Sequence, residues 1–192
     1  MTGEAIAAYL DDVARLRISV FRDWPYLYAG DQGYERDYLG RYARSRHAVF
    51  VLAFDGDRVV GASTGLPLAD EAPAFRAPFA ERGIDQDAVF YCGESVLLPG
   101  YRGRGVGHAF FDHREAHARA LGLRWSAFCT VERPSDDPRR PRGHRPNDAF
   151  WRKRGYRPQP GMRMELSWDE VGAGETAHTL VFWLRELVPT VR

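Results

Sequence analysis

The stretch "LLPGYRGRGVGHAFFDHREAHARALG", Leu97 to Gly122, constrains the fold more than any other part of the chain. Before it, "AVFYCGESVLL" has the composition of a strand, and after it "RWSAFCTV" has it again. Between them lies a glycine-rich loop and then a helical pattern, with Val106, Ala109, Phe110, Ala116, Ala120 and Leu121 read as its apolar face and Gly122 as its stop. Strand, loop, helix, strand is a βαβ unit, expected to be parallel and right-handed.

The loop itself reads as an anion site. The first turn of a helix presents unpaired N–H groups and a partial positive charge. Gly103, Gly105 and Gly107 keep side chains away from those amides, and Arg102 and Arg104 add positive charge at the rim. A plain turn gains nothing from such charge, which the helix macrodipole disfavours by a few tenths to ~1 kcal/mol unless an anion is bound. A Walker-type loop requires Lys-Ser/Thr after the last glycine, where this chain has His108 and Ala109. A Rossmann fingerprint belongs early in a long βαβαβ array, whereas this motif lies mid-chain after an antiparallel hairpin, with only one βαβ unit evident.

That hairpin is "HAVFVLAF" and "RVVGASTGL" around the turn residues Asp55, Gly56 and Asp57. Ahead of it, the spacing of Ile6, Leu10, Val13, Leu16, Val20 and Trp24 predicts a helix stopped or bent by Pro25. A shorter helix carrying Tyr34, Tyr38 and Tyr42 is expected next. Residues Leu68 to Gln86 read as a short helix and loop. Gly93, inside a strand, marks a bulge or a close backbone approach. The proline-rich "ERPSDDPRRPRGHRPN" is a loop, Asn147 a cap for the short helix "DAFWRKRG", and "MRMELSW" and "HTLVFWLREL" are two closing strands.

With this order of elements, "Arg102-Gly-Arg-Gly105-Val-Gly107" resembles the R/Q-x-x-G-x-G/A pyrophosphate loop of the GNAT superfamily of acyl-CoA-dependent N-acyltransferases. "DAFWRKRGY" is similar to that family's late helix, which closes on a glycine-aromatic pair. The resemblance implies one α+β domain over residues 1–192, with a central, mostly antiparallel sheet, one parallel splayed strand pair and helices on both faces. It implies N-acetyl transfer from acetyl-CoA, a co-substrate, to a primary amine of a small molecule or peptide by direct attack, without a metal. The pantetheine arm would lie along the Val89 to Leu98 strand, with Leu97 and Leu98 beside it and main-chain donors of Leu97 facing the thioester carbonyl. Arg102, Gly103, Arg104, Gly105, Val106 and Gly107 would take the pyrophosphate.

A base is needed to deprotonate the amine, and Glu94, in an otherwise apolar strand, is the candidate; the other reading is a carboxylate paired with one of the many arginines. In many family members a tyrosine four residues before the late glycine protonates the thiolate, and here that position is Trp151, whose indole transfers no proton. A noncatalytic acyl-CoA sensor is therefore the competing reading. Tyr26, Tyr28 and Glu132 are the acceptor-side candidates, against the alternative of half-buried packing and arginine-paired acids.

A net charge of +1 removes the simplest case for a polyanionic partner. "RRPRGHR" lacks interleaved aromatics and lies beside Asp136 and Asp137, so no nucleic-acid partner is expected. Cys92 and Cys129 read as buried free thiols. No apolar run approaches the ~20 residues of a membrane span, and a cytoplasmic protein is expected. The family's usual first strand is not evident before Ile6, which suggests an open sheet edge covered by another segment or by a second copy in a homodimer.

Overall fold

The computed structural model describes residues 1–187. After a 3-10 turn at Gly3–Tyr9 come helices α1 (Leu10–Phe21) and α2 (Gln32–Arg44), then the hairpin β1 (Val49–Asp55) and β2 (Arg58–Pro67). Helix α3 (Pro73–Glu81) precedes β3 (Val89–Tyr91) and β4 (Ser95–Leu97), and α4 (Val106–Ala120) leads to β5 (Trp125–Val131). The chain closes with α5 (Asp148–Lys153), β6 (Arg157–Glu170) and β7 (Gly174–Glu186).

The sheet order is β1-β2-β3-β5-β7-β6, with β4 also paired to β2. Every pairing is antiparallel except β3 with β5. The 3-10 turn and helices α1 and α2 close one face through Ile6, Val13, Leu16, Leu39 and Tyr42. Phe75 and Phe79 of α3 pack on β3, β5 and β7. Across the sheet, Phe111 of α4 joins Phe90, Phe128, Tyr156 and Trp183.

The expected single strand around Gly93 is two strands. Leu66 pairs with Tyr91 but Ser63 pairs with Ser95, so β2 advances three residues while its partner advances four. One inserted residue is a β-bulge, which bends the strand and turns its side chains over. Gly93 is needed there on steric grounds, because a Cβ would meet Tyr42 Oη at 2.0 Å. Beyond the bulge β4 keeps its bonds to β2 and leaves β5, so the sheet opens.

Other expectations are corrected in detail. α1 ends at Phe21, short of Trp24. The buried face of α4 is Phe110, Phe111, Arg114, Glu115 and Ala118, while Ala109, Ala116 and Ala120 are exposed. Two charged residues on that stripe hid its phase. Asn147 precedes α5 without a capping side-chain bond. At the β1 edge Thr2 bridges Val49, and Met1 exchanges main-chain bonds with Phe50 at 2.8 and 2.9 Å. No helix among the described residues is long and apolar enough to cross a membrane.

Candidate active site

Where β4 leaves β5 a groove of about 570 Å³ opens. One end is walled by Arg102, Gly103, Gly105, Gly107 and His108, the middle by Ser95, Leu97, Phe128 and Thr130, and one flank by Asn147, Phe150 and Trp151. Gly103 (φ +76°) and Gly105 (φ +83°) are left-handed, which sets the loop's path. Gly107 is different. An added Cβ would meet only Phe150, at an ordinary 3.8 Å, so nothing in the protein demands a residue that costs a helix up to about 1 kcal/mol relative to alanine.

Among the described residues, none of the amides of Gly103, Arg104, Gly105, Val106 and Gly107 donates to a protein acceptor. Five successive unbonded N–H groups at a helix start suit an anion and form a candidate cradle. Arg102 lines it, donating from Nε to Leu97 O at 3.1 Å. Arg104 is turned away, donating to Gly100 O at 2.8 Å with its guanidinium over Tyr101.

The β4 backbone is also readable. Leu98 N–H donates to Val60 O at 3.0 Å. Hydrogen-bonded positions alternate in an antiparallel ladder, so the N–H and C=O of Leu97 and Ser95 point away from β2, where β4 has no other strand. Leu97 thus offers its amide to the groove. Leu98 does not: its amide is spent on β2 and its side chain packs against the core.

Glu94 lies at the bulge, but its carboxylate is enclosed. Oε2 accepts from Arg17 Nη1, and Oε1 accepts from Thr64 Oγ1 at 2.6 Å. Arg17 also donates from Nε to Glu35, tying α1, α2 and the bulge together in a buried triad. Burial raises the Glu35 carboxyl above its usual range despite the opposing pull of Arg17. On the other side of the sheet Arg114, 2% exposed, donates from Nη1 to the carbonyls of Glu94 (3.0 Å) and Thr64 (3.4 Å). Those carbonyls accept from Thr64 N–H and Gly93 N–H respectively, so Arg114 clamps the bulge. Arg17 and Arg114 were both missed from the sequence. Each stands four residues after a buried apolar residue, Val13 or Phe110, and that placement is the available signal.

A second cavity, about 280 Å³, lies under α1, α2 and α3 and is lined by Tyr26, Tyr28, Tyr34, Tyr38, Tyr91, Phe75, Trp168 and Leu180, with Arg17 and Arg41. The two cavities share Phe21, Tyr26, Gly93 and Cys129. Burial keeps both Tyr26 and Cys129 protonated, the thiol being pushed up to about 12, and Tyr91 Oη lies 3.0 Å from Cys129 Sγ. Tyr26 and Tyr28 both line this second cavity. Glu132 does not: it lines neither cavity and pairs with Arg163 at 3.1 Å. No metal-ligand cluster occurs among the described residues.

The loop after α1 is stitched to the β6–β7 hairpin. Tyr28 bridges Glu170, Ala29 N–H donates to Asp169 O at 2.8 Å, and Trp168 Nε1 donates to Tyr26 O at 3.0 Å. Arg133 donates to Pro25 O (2.7 Å), Tyr26 O (3.0 Å) and Glu170 (3.0 Å), and Arg139 also pairs with Glu170. Burial pushes the Glu170 carboxyl up, and the hydrogen bonds from Arg133 and Arg139 more than offset it, leaving it below the usual range. A carboxyl lowered by folding contributes stability that is present above its unfolded value, about 4.3, and lost as pH falls through the folded value. The melting difference between the parent protein and Glu170→Gln is accordingly expected to be largest near neutrality and to shrink on acidification below about pH 4; a constant difference contradicts the assignment.

The sheet thus opens at a bulge beside the amide cradle, and the second cavity meets the gap. The sequence matches the model of the acetyltransferase (GNAT) family over residues 13–140, more than half of the chain, and the chain belongs to that family. Solved structures with the same fold include ribosomal-protein-alanine N-acetyltransferase from Brucella melitensis, 14% identical with TM-score 0.61, covering 94% of this chain and 95% of that one. Aminoglycoside 6'-N-acetyltransferase complexed with coenzyme A is 14% identical with TM-score 0.59, covering 96% and 94%. The yncA protein of Salmonella typhimurium, solved with acetyl-CoA, is 12% identical with TM-score 0.57, covering 96% and 92%. No curated protein matches by sequence.

Proposed function

We propose that the protein transfers an acetyl group from acetyl-CoA to a primary amine of a small molecule or peptide, both bound at once. The observation that carries this reading is the continuity of the cradle, the groove and the second cavity, which meet at Gly93 and Cys129. A sensor needs only the groove. Coenzyme A bound in two of the similar structures supports the choice of donor.

In this reading the amides of residues 103–107 and Arg102 hold the diphosphate. The outward amides of Ser95 and Leu97 hold the pantetheine arm, and the Leu97 N–H polarises the thioester carbonyl. The amine nitrogen, entering from the second cavity, forms the C–N bond as the C–S bond breaks. The nitrogen gives up one proton and the sulfur takes up one. Tyr26 is the one phenol lining both cavities; its firmly held proton makes it a hydrogen-bond donor to the departing sulfur in place of the absent late-helix tyrosine.

Glu94 is the one carboxylate among the described residues lining either cavity, and its side chain is enclosed by Arg17 and Thr64. We assign it the holding of Arg17 and the bulge, with the amine proton passing to water. Glu94→Gln is then expected to lower kcat at every pH without displacing the acidic limb of the pH–rate profile. Loss of that limb reinstates Glu94 as the base. The reading as a whole is tested by free-thiol release from acetyl-CoA with an amine panel. Amine-dependent release is expected, and coenzyme A binding with no release from any amine favours the sensor.

A further inference from the structure

The second cavity has one cationic group left over. Its lining contains no Asp or Glu among the described residues and two arginines. Arg17 is spent on Glu35 and Glu94. Arg41 is not: among the described residues its only carboxylate neighbour within 4.0 Å is Glu71, at 4.0 Å, beyond hydrogen-bond reach. Glu71 is itself occupied, accepting from Tyr42 Oη at 3.1 Å and from Ala72 N–H at 2.8 Å. The Arg41 side chain lines the cavity and is 34% exposed, and among the described residues its guanidinium donates to no protein acceptor within hydrogen-bond distance.

The aromatic rings do not make this a cage for a second cation. Both guanidinium groups lie over Tyr38, with Arg17 Cζ at 4.3 Å and Arg41 Cζ at 4.9 Å from its centroid. An ammonium group placed there would compete for a ring already used and meet two like charges. What the cavity can take is an apolar or aromatic body carrying one negative charge. One free guanidinium matches a monoanion, and its planar fork fits a carboxylate; a phosphate dianion would leave charge unpaired.

Building on the transfer reading above, we infer that the acceptor is a small amino carboxylate: its amine reaches the junction at Gly93, its apolar or aromatic body fills the tyrosine-lined cavity, and its carboxylate pairs with Arg41. Polyamines and aminoglycoside-like polycations are disfavoured acceptors on the same grounds. Arg41 is thus a specificity-determining residue.

The test uses matched acceptors that differ by the carboxylate, L-phenylalanine against 2-phenylethylamine and 4-(aminomethyl)benzoate against benzylamine, with spermidine as the polycation, read by thiol release. At least one carboxylate is expected to exceed its partner in kcat/KM by about ten-fold or more, the scale of one charge-assisted pair. Arg41→Gln is expected to erase that ratio, chiefly through KM, with melting midpoint and coenzyme A titration reporting that the variant is folded. Equal use of both members of each pair, a preference for spermidine, or a ratio that survives Arg41→Gln overturns the inference and leaves acetyl transfer standing. Failure of the parent protein to bind coenzyme A takes down both.

Discussion

Gly105→Glu is expected to lower coenzyme A affinity by at least about 100-fold while leaving the protein folded. A Cβ added at residue 105 meets no protein atom within 4 Å, and the position is exposed, so the core does not feel it. The left-handed backbone there, φ +83°, costs a side-chain-bearing residue about 1–2 kcal/mol, a tolerable strain for one position in a loop. The carboxylate, however, stands beside the free amides of the loop, replacing attraction for a diphosphate by repulsion at close range. Gly105→Ala carries the same strain without the charge, so its affinity should lie between parent and Glu variant. Calorimetric titration gives the affinities and thermal melting the folding. A Glu variant that binds as the parent does removes the cradle assignment.

The second large effect is on stability. Arg17→Met leaves Glu35 and Glu94, both with fully buried side chains, without their shared cation, and removing one partner of a buried pair costs about 3–5 kcal/mol. For a chain of this size the melting midpoint is expected to fall by on the order of 10 °C. Burial already raises the Glu35 carboxyl, so its protonation should lessen the deficit on mild acidification. Replacing both acids as well, in Arg17→Met/Glu35→Gln/Glu94→Gln, leaves no uncompensated charge and should restore much of the loss. A single variant that melts with the parent contradicts the triad's structural role.

The sequence made the cradle legible because glycine, arginine and a helix start are local signals, and Gly93 was legible as a bulge because glycine inside an apolar strand is one too. The consequence of the bulge was harder to see. A one-residue slip sends β4 along β2 and away from β5, and that depends on pairing partners more than twenty residues away. The second cavity was half legible: Tyr26 and Tyr28 lie on its wall because the loop after α1 is pinned to β6. Glu132, just past β5, pairs instead with Arg163 on β6, which lies beyond β7 in the sheet, and no local pattern forecasts that. The phase of α4 was hard to read because two charged residues, Arg114 and Glu115, lie on its buried face. They are the polar positions that the bulge and the Tyr156 network require inside, Tyr156 Oη donating to Glu115 at 3.2 Å. Charges on an apolar stripe were the readable trace of a site in Arg17 and Arg114 alike.

The most direct measurement is a crystal structure of the protein with coenzyme A. The diphosphate is expected within hydrogen-bond distance of the amides of residues 103–107, with the pantetheine arm between β4 and β5 and its sulfur near Gly93. A diphosphate bound elsewhere, or those five amides turned away from it, contradicts the account.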